Sequence, residues 1–283
     1  MSHSRSSVPS TAHVAHECQV CGTVLSGPGG AILRLVGIGR SGRNPNVCTR
    51  CNAHLESGHI LEVTVLFADL SGFTAMTHEL GLERTHEIVD AFLKLTKQEV
   101  VREDGNVDKF IGDAVMAVFN APILRPDHAL AAFRAATAIQ QAMPQLSASQ
   151  GRRLQATIGI AKGYARLGTP GGIDGRDHTF LGDVVNLAAR LQSQARPDDV
   201  VVDASVYSDL TGHAEEVPEE RLVLKGFPEP VACRRFGPSV MSVAPLRHRR
   251  LRAGRLGFGA VAFALLGAPC AATVALTPVA VWL

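Results

Sequence analysis

Two acidic residues, Asp69 and Asp113, each stand at the point where a strand-like run meets a turn. Val63 to Ala68 is rich in β-branched and aromatic residues, and Asp69 follows it directly. Asn106 to Phe119 contains two such runs joined through Ile-Gly-Asp, so the pattern predicts a hairpin with Asp113 at its tip. Two carboxylates at strand ends suit a hard divalent cation, which prefers oxygen ligands.

The residues after Asp69 predict a phosphate-binding turn. Leu-Ser-Gly-Phe-Thr leads from the strand into a helix predicted over about Thr74 to Arg102. The free backbone N–H groups and the positive end of that helix would then lie beside the carboxylate, where they attract phosphate. Gly72, Phe73 and Thr74 are therefore candidate substrate contacts.

The predicted elements form an α+β domain of the ferredoxin-like type. A second helix begins with Asp127 as its N-cap and runs to about Gln141, and a central strand covers residues 155 to 161. A further helix covers residues 183 to 194, so the order is β-α-β-β-α-β, the split βαβ arrangement. A strand at residues 200 to 203, a short helix near Val206 and a hairpin of residues 221 to 224 with 231 to 236 complete the domain.

Three motifs in order along the chain are similar to those of one known family. They are FADLSGFT from Phe67 to Thr74, DKFIGD from Asp108 to Asp113, and GDVVNLAAR from Gly182 to Arg190. Together they resemble the catalytic domain of class III nucleotide cyclases, and the resemblance covers roughly Glu62 to Phe236. It implies an enzyme that converts a nucleoside triphosphate to a cyclic nucleotide and pyrophosphate.

The resemblance also implies roles for individual residues. Asp69 and Asp113 would hold two Mg²⁺ or Mn²⁺ ions, which activate the ribose 3′-hydroxyl and hold the triphosphate. Asn186 would orient the ribose, and Arg190 would meet the charge that grows on the α-phosphate. Because these two residues are four apart on a predicted helix, their side chains share a face. Lys225 resembles the lysine that meets the β- and γ-phosphates.

Base choice depends on Lys109 and Thr179 in this resemblance. The position of Lys109 is a lysine in adenylate cyclases and typically a glutamate in guanylate cyclases, because a lysine donates to adenine N1. Thr179 is at the partner position, where many adenylate cyclases carry aspartate, and its hydroxyl can accept from the adenine amino group. ATP is therefore the expected substrate. Guanylate cyclase activity and a non-catalytic nucleotide- or zinc-responsive signalling protein are the alternatives.

The resemblance implies a head-to-tail homodimer. It places the metal aspartates of one subunit in one site and Lys109, Thr179, Asn186 and Arg190 of that subunit in the site across a two-fold axis. A chain with one such domain would then need a second copy to complete a site.

Four of the six cysteines form two Cys-x-x-Cys pairs, Cys18 with Cys21 and Cys48 with Cys51. This spacing predicts a small zinc-ribbon-like module with one structural Zn²⁺ over residues 18 to 60, while a redox-active dithiol pair and unligated cysteines stay open. The module has few arginines and the chain has a formal net charge of +2, so a nucleic-acid partner is not expected. Cys233 and Cys270 have no assigned role.

Composition divides the rest of the chain. Residues 1–17 are predicted to be a disordered tail, 61–237 the catalytic domain and 238–255 a basic linker. Residues 256–283 contain no charged side chain and exceed the roughly 20 residues that span a bilayer, so they predict a hydrophobic membrane segment. The preceding arginines would hold the catalytic domain on the cytoplasmic side of the cell membrane. A kinked span, a re-entrant hairpin and a buried core helix are the possible forms.

Overall fold

The computed structural model describes residues 16–19, 21–42, 44–53, 60–168 and 179–240. The helices and strands in chain order are α1 Gly27–Leu35, α2 Thr49–Ala53, β1 Ile60–Leu70, α3 Phe73–Leu80, α4 Leu82–Arg102, β2 Asn106–Ile111, β3 Ala114–Phe119, α5 His128–Gln150, β4 Ala156–Gly168, β5 Thr179–Leu181, α6 Asp183–Gln194, β6 Val200–Asp203, α7 Ala204–Leu210, β7 Glu219–Leu222 and β8 Val231–Phe236. Nearly all of the predicted tail and linker, and the whole predicted membrane segment, lie outside the described residues. In the part of the chain that is described, no helix combines the length and apolar character needed to cross a membrane.

One mixed sheet organises the fold, with the strand order β2-β3-β1-β4-β6-β8-β7 and β5 paired to β4. β1 is antiparallel to both β3 and β4, and β2 is antiparallel to β3. The predicted β-α-β-β-α-β order is thereby confirmed. β6 continues the sheet parallel to β4, and β8 and β7 complete its far edge as an antiparallel pair.

The sheet separates two hydrophobic cores. Alternate residues of β1 enter different cores because successive side chains of a strand point to opposite faces. Leu66, Ala68 and Leu70 pack in the core beneath α4 and α5, whereas Val63, Val65 and Phe67 pack in the core beneath α6. With both faces covered, β1 is buried from Val63 to Ala68, which explains the nearly continuous apolar sequence of that part.

Two helices differ from the prediction. The single helix expected over about Thr74 to Arg102 is divided at Gly81, whose φ of 77° and ψ of 172° interrupt the helical path. A side chain would strain this conformation, and glycine adopts it readily. α5 continues beyond the predicted end at Gln141 to Gln150, and Gly151 ends it in the left-handed region at φ 69°.

Asp127 does occupy the N-cap position of α5, but its side chain accepts no capping hydrogen bond. The carboxylate instead accepts hydrogen bonds of 2.8 Å from Nε and Nη2 of Arg125. These bonds lower the pKa of Asp127 to about 2. The side chain of Asp127 therefore forms an ion pair at the start of α5 and does not cap the helix.

Candidate active site

The first part of the site is the pair of carboxylates. Asp69 is the tenth residue of β1 and Asp113 lies in the β2–β3 turn, and the antiparallel pairing of β1 with β3 brings the two groups together. Burial, and then the neighbouring Asp113 carboxylate, raise the pKa of Asp69 to about 6. Gln192 of α6 donates a hydrogen bond of 3.2 Å to Asp69 Oδ2. Asp69 Oδ1 is buried and has no hydrogen-bond partner among the described residues.

These observations fit a divalent cation at Asp69 and Asp113. Two neighbouring carboxylates repel each other, and a buried oxygen without a partner carries a desolvation cost, so a hard cation would offset both effects. The donor set is oxygen only, as Mg²⁺ and Mn²⁺ prefer.

The second part of the site is the turn between β1 and α3. Gly72 has a left-handed conformation, with φ 80° and ψ 23°, and serves as the N-cap of α3. Phe73 and Thr74 follow it, and both are exposed. Their N–H groups belong to the first turn of a helix and so have no partner within that helix. The buried Oγ of Ser71 is a further polar atom without a partner among the described residues, so this turn suits a phosphate group.

The third part brings Lys109 and Thr179 together. The Thr179 hydroxyl donates a hydrogen bond of 2.7 Å to Asp108 Oδ2, and Lys109 Nζ lies 3.6 Å from the same oxygen. The Asp108 side chain is fully buried, whereas that of Lys109 is 41% exposed. The two predicted base contacts therefore meet at a buried carboxylate that the sequence reasoning did not single out.

Helix α6 carries Asn186 and Arg190, and both are exposed. At 100° per residue, Gln192 is separated from them by roughly 120° and 160° around the helix. Because Gln192 contacts Asp69, the face with Asn186 and Arg190 points away from the carboxylates of the same chain. Gln192 itself was not predicted, and its role depends on a contact between distant parts of the sequence.

The close packing of α6 on the sheet requires a glycine in β4. A Cβ on Gly159 would lie 2.2 Å from the backbone nitrogen of Gln192 and 2.4 Å from the carbonyl oxygen of Ala188. Any side chain there would push the helix away from the sheet.

Lys225 lies in an exposed turn between β7 and β8, beside Gly226 at φ 93°. Its ammonium group has no ion pair within the described part of the chain, so it is available to a ligand.

A second candidate site is the cysteine cluster, which precedes the sheet domain in the sequence. It is formed by Cys18, Cys21, Cys48 and Cys51. Their four sulfur atoms all lie within 4.8 Å of one another. Cys21 Sγ and Cys48 Sγ are 3.7 Å apart, close to the about 3.8 Å between two thiolates of a tetrahedral zinc site. Burial raises the pKa of the Cys48 and Cys51 thiols, so zinc would have to displace their protons.

The cysteine cluster sits in a framework that differs from a zinc ribbon. The spacer between the two Cys-x-x-Cys pairs contains helix α1. Around the pairs, the described backbone forms single β-bridges, whereas a zinc ribbon has β-strands there. The module contacts the sheet domain near the turn from α4 to β2. Asn44 Nδ2 donates a hydrogen bond of 3.0 Å to the carbonyl oxygen of Gly105, and Lys97 Nζ donates one of 2.7 Å to the carbonyl oxygen of Gly42. Ile123 packs against the cysteine cluster.

Cys233 lies in β8, is fully buried and packs in the core beneath α6. Burial raises the pKa of its thiol to about 11. It is a hydrophobic core residue, whereas Cys270 is outside the described residues.

Comparison with known proteins identifies the class of protein. The sequence of residues 55–233 matches the family model of the adenylate and guanylate cyclase catalytic domain. The chain therefore belongs to this family, and its sheet domain is a nucleotide cyclase catalytic domain.

Individual relatives agree with this assignment. The chain is 30% identical over 149 residues to adenylate cyclase 1 of Rhizobium meliloti, which is 49% of this chain and 22% of that protein. It is 27% identical to an adenylate cyclase of Anabaena cylindrica over 56% of this chain and 33% of the relative. The chain thus spans no more than a third of the length of these two relatives.

Solved structures share the fold. The adenylyl cyclase CyaB from P. aeruginosa superimposes with a TM-score of 0.60 at 28% identity, over 68% of this chain and 98% of that one. The guanylyl cyclase Cya2 gives a TM-score of 0.62 at 23% identity, over 67% of this chain and 96% of that one, and this likeness concerns the fold alone. Adenylyl and guanylyl cyclases therefore both have this architecture.

Proposed function

We propose that this chain is an adenylate cyclase, which converts ATP to 3′,5′-cyclic AMP and pyrophosphate. The observation that carries the choice of ATP is the meeting of Lys109 and Thr179 at Asp108. An ammonium group donates to adenine N1, and a hydroxyl oxygen can accept from the adenine amino group. Guanine has a donor and an acceptor at the corresponding positions, so the same pair would oppose it.

The remaining residues divide the work on the triphosphate and ribose. Two Mg²⁺ or Mn²⁺ ions, when bound at Asp69 and Asp113, would lower the pKa of the ribose 3′-hydroxyl and neutralise charge on the phosphates. The N–H groups of the turn at Gly72, Phe73 and Thr74 would bind phosphate oxygens. We assign the β- and γ-phosphates to the ammonium group of Lys225, which is exposed.

Asn186 and Arg190 would complete the reaction centre. Asn186 would hold the ribose so that its 3′-oxygen faces the α-phosphorus, and Arg190 would stabilise the charge that develops on the α-phosphate oxygens. The 3′-oxygen, having lost its proton, would form a bond to the α-phosphorus while the bond from the α-phosphorus to the oxygen that bridges to the β-phosphorus breaks, and pyrophosphate would leave with the electron pair of that bond.

We further propose that the active form is a homodimer with shared sites. The exposed face of α6 that carries Asn186 and Arg190 points away from Asp69 of the same chain, which supports their use in the site of a second copy. A two-fold axis would give two equivalent sites, each built from both chains.

The cysteine cluster and the C-terminal residues extend the proposal. The clustered sulfurs support one structural Zn²⁺, whose tetrahedral coordination would tie the two Cys-x-x-Cys pairs together. The uncharged run of residues 256–283 is proposed as a membrane tether on its sequence alone. Such a tether would raise the effective concentration of the two subunits.

Mixing two inactive variants of the 283-residue chain tests this proposal. Asp69→Ala and Arg190→Ala should each be silent with ATP and Mn²⁺, and activity should return on mixing because one site of each mixed dimer is intact. Arg196→Ala is the matched control, since Arg196 is an exposed arginine beyond the end of α6. Silence despite demonstrated mixed dimers would refute shared sites. A wild-type protein that forms cyclic GMP and no cyclic AMP would refute the choice of ATP.

A further inference from the structure

Asp108 occupies a β-bulge in strand β2. In the pairing of β2 with β3, Val107 is opposite Ala117 and Lys109 is opposite Met116, so Asp108 is the extra residue at this shift of register. A bulge changes the direction of the side chains beside it. In a regular strand Asp108 and Lys109 would point to opposite faces of the sheet.

Because of the bulge, the side chains of Asp108 and Lys109 lie on the same side of the sheet and meet. Lys109 Nζ is 3.6 Å from Asp108 Oδ2, and the Thr179 hydroxyl from β5 lies 2.7 Å from the same oxygen. The Asp108 carboxylate is fully buried and Thr179 is 5% exposed, so water does not compete for the bond between them. The hydrogen bond is therefore well placed to control the orientation of the hydroxyl.

The consequence for Thr179 follows from the chemistry of a hydroxyl. A hydroxyl has one proton and two lone pairs, and it rotates to suit its neighbours. When the proton is given to Asp108, only lone pairs remain to face a base. Asp108 can act in this way because an ionised carboxylate is an acceptor only.

We propose that Asp108 is a positioning residue for base specificity, which fixes Thr179 as an acceptor and so makes the Lys109–Thr179 pair complementary to a 6-aminopurine. This inference rests on the proposed adenine recognition and deepens it. The 6-amino group of adenine donates to the fixed lone pair, whereas the oxygen of a 6-oxopurine meets a lone pair and is repelled. Without Asp108 the hydroxyl could rotate and donate to that oxygen, so threonine alone would discriminate poorly.

The test compares ATP with inosine triphosphate, which differs at the 6-position and in carrying a proton on N1. The 283-residue wild type, Asp108→Leu, Thr179→Val and the double variant are assayed for kcat/KM with each nucleotide. Asp108→Leu removes the acceptor with a side chain of similar shape and should lower the ATP to inosine triphosphate ratio by roughly tenfold, the size expected for one buried hydrogen bond gained or lost. The ratio should still exceed one, since Lys109 opposes the N1 proton.

The double variant shows whether Asp108 acts through Thr179. In the Thr179→Val background, Asp108→Leu should leave the ratio unchanged because there is no hydroxyl to orient. A wild-type ratio preserved in folded, dimeric Asp108→Leu would overturn the inference. An equal fall in both backgrounds would also overturn it, because Asp108 would then act on Lys109 or on the fold. Asp108→Ala replaces Asp108→Leu if the latter does not fold.

Equilibrium binding of both nucleotides separates this inference from the proposed function. If wild type binds ATP but forms no cyclic product, the proposed function fails, and the ratio of the two dissociation constants in each variant still decides the role of Asp108. Equal affinities of wild type for ATP and inosine triphosphate would refute the inference.

Discussion

Asp69→Asn should remove activity and at the same time stabilise the metal-free protein at neutral pH. The pKa of Asp69 rises from 3.8 to about 6, first through burial and then through the neighbouring Asp113 carboxylate. Each pKa unit corresponds to about 1.4 kcal/mol, so the full shift is worth about 3 kcal/mol. Because Asp69 keeps some contact with solvent, screening reduces the expected gain to roughly 1–2 kcal/mol.

The sign of the pH dependence follows from the direction of the shift. The folded-state pKa lies above the unfolded value, so the ionised carboxylate destabilises the fold fully above about pH 6. Below about pH 4 the group is protonated in both states and the penalty disappears. The advantage of Asp69→Asn should therefore be full at pH 7.5 and much smaller at pH 4.5.

Urea unfolding in the presence of EDTA measures this difference at the two pH values. Asp90→Asn is the control, because the side chain of Asp90 on α4 is half-exposed and pairs with Lys94, and its change should be within about 0.5 kcal/mol. The reasoning is refuted if Asp69→Asn unfolds at the same or lower urea concentration than wild type at pH 7.5. A gain of equal size at both pH values would show that the charge is not its cause. Loss of turnover with Mn²⁺ is expected in every case.

Two further predictions concern the packing of α6 on the sheet and the metal in the cysteine cluster. Gly159→Ala should destabilise the protein by about 1–3 kcal/mol and lower turnover, because the new Cβ would meet the backbone of α6 at Gln192. Thermal unfolding measures this loss. Gly168→Ala is the control, and it should change the stability little because the nearest atom to the new Cβ is 3.6 Å away. Metal analysis should find about one zinc per chain in the wild type and none in Cys48→Ser. Removal of the zinc by a chelator should make residues 18 to 53 sensitive to protease. Iron in place of zinc, or no metal at all, would contradict this assignment.

Much of the fold could be predicted from local sequence pattern. The β-branched run of β1 and the helical spacing in α4 lie within single elements, so neighbouring residues determine them. Asp69 and Asp113 could be placed at strand ends for the same reason, since strand and turn signals adjoin them. The break at Gly81 was missed because one glycine inside a helical pattern is usually tolerated, and only the packing of α3 and α4 shows that it is used here.

The sequence by itself therefore determined the order of the elements and the chemical types of the candidate site residues, because both are encoded over a few adjacent positions. The tertiary structure decided which distant residues meet. Asp108 contacts Thr179 only because a bulge shifts the register of β2 and β5 docks on β4, and Gln192 reaches Asp69 only because Gly159 admits α6 to the sheet. A shift of one residue moves a side chain to the opposite face of a sheet, so such contacts depend on strand register and helix packing that local pattern does not encode.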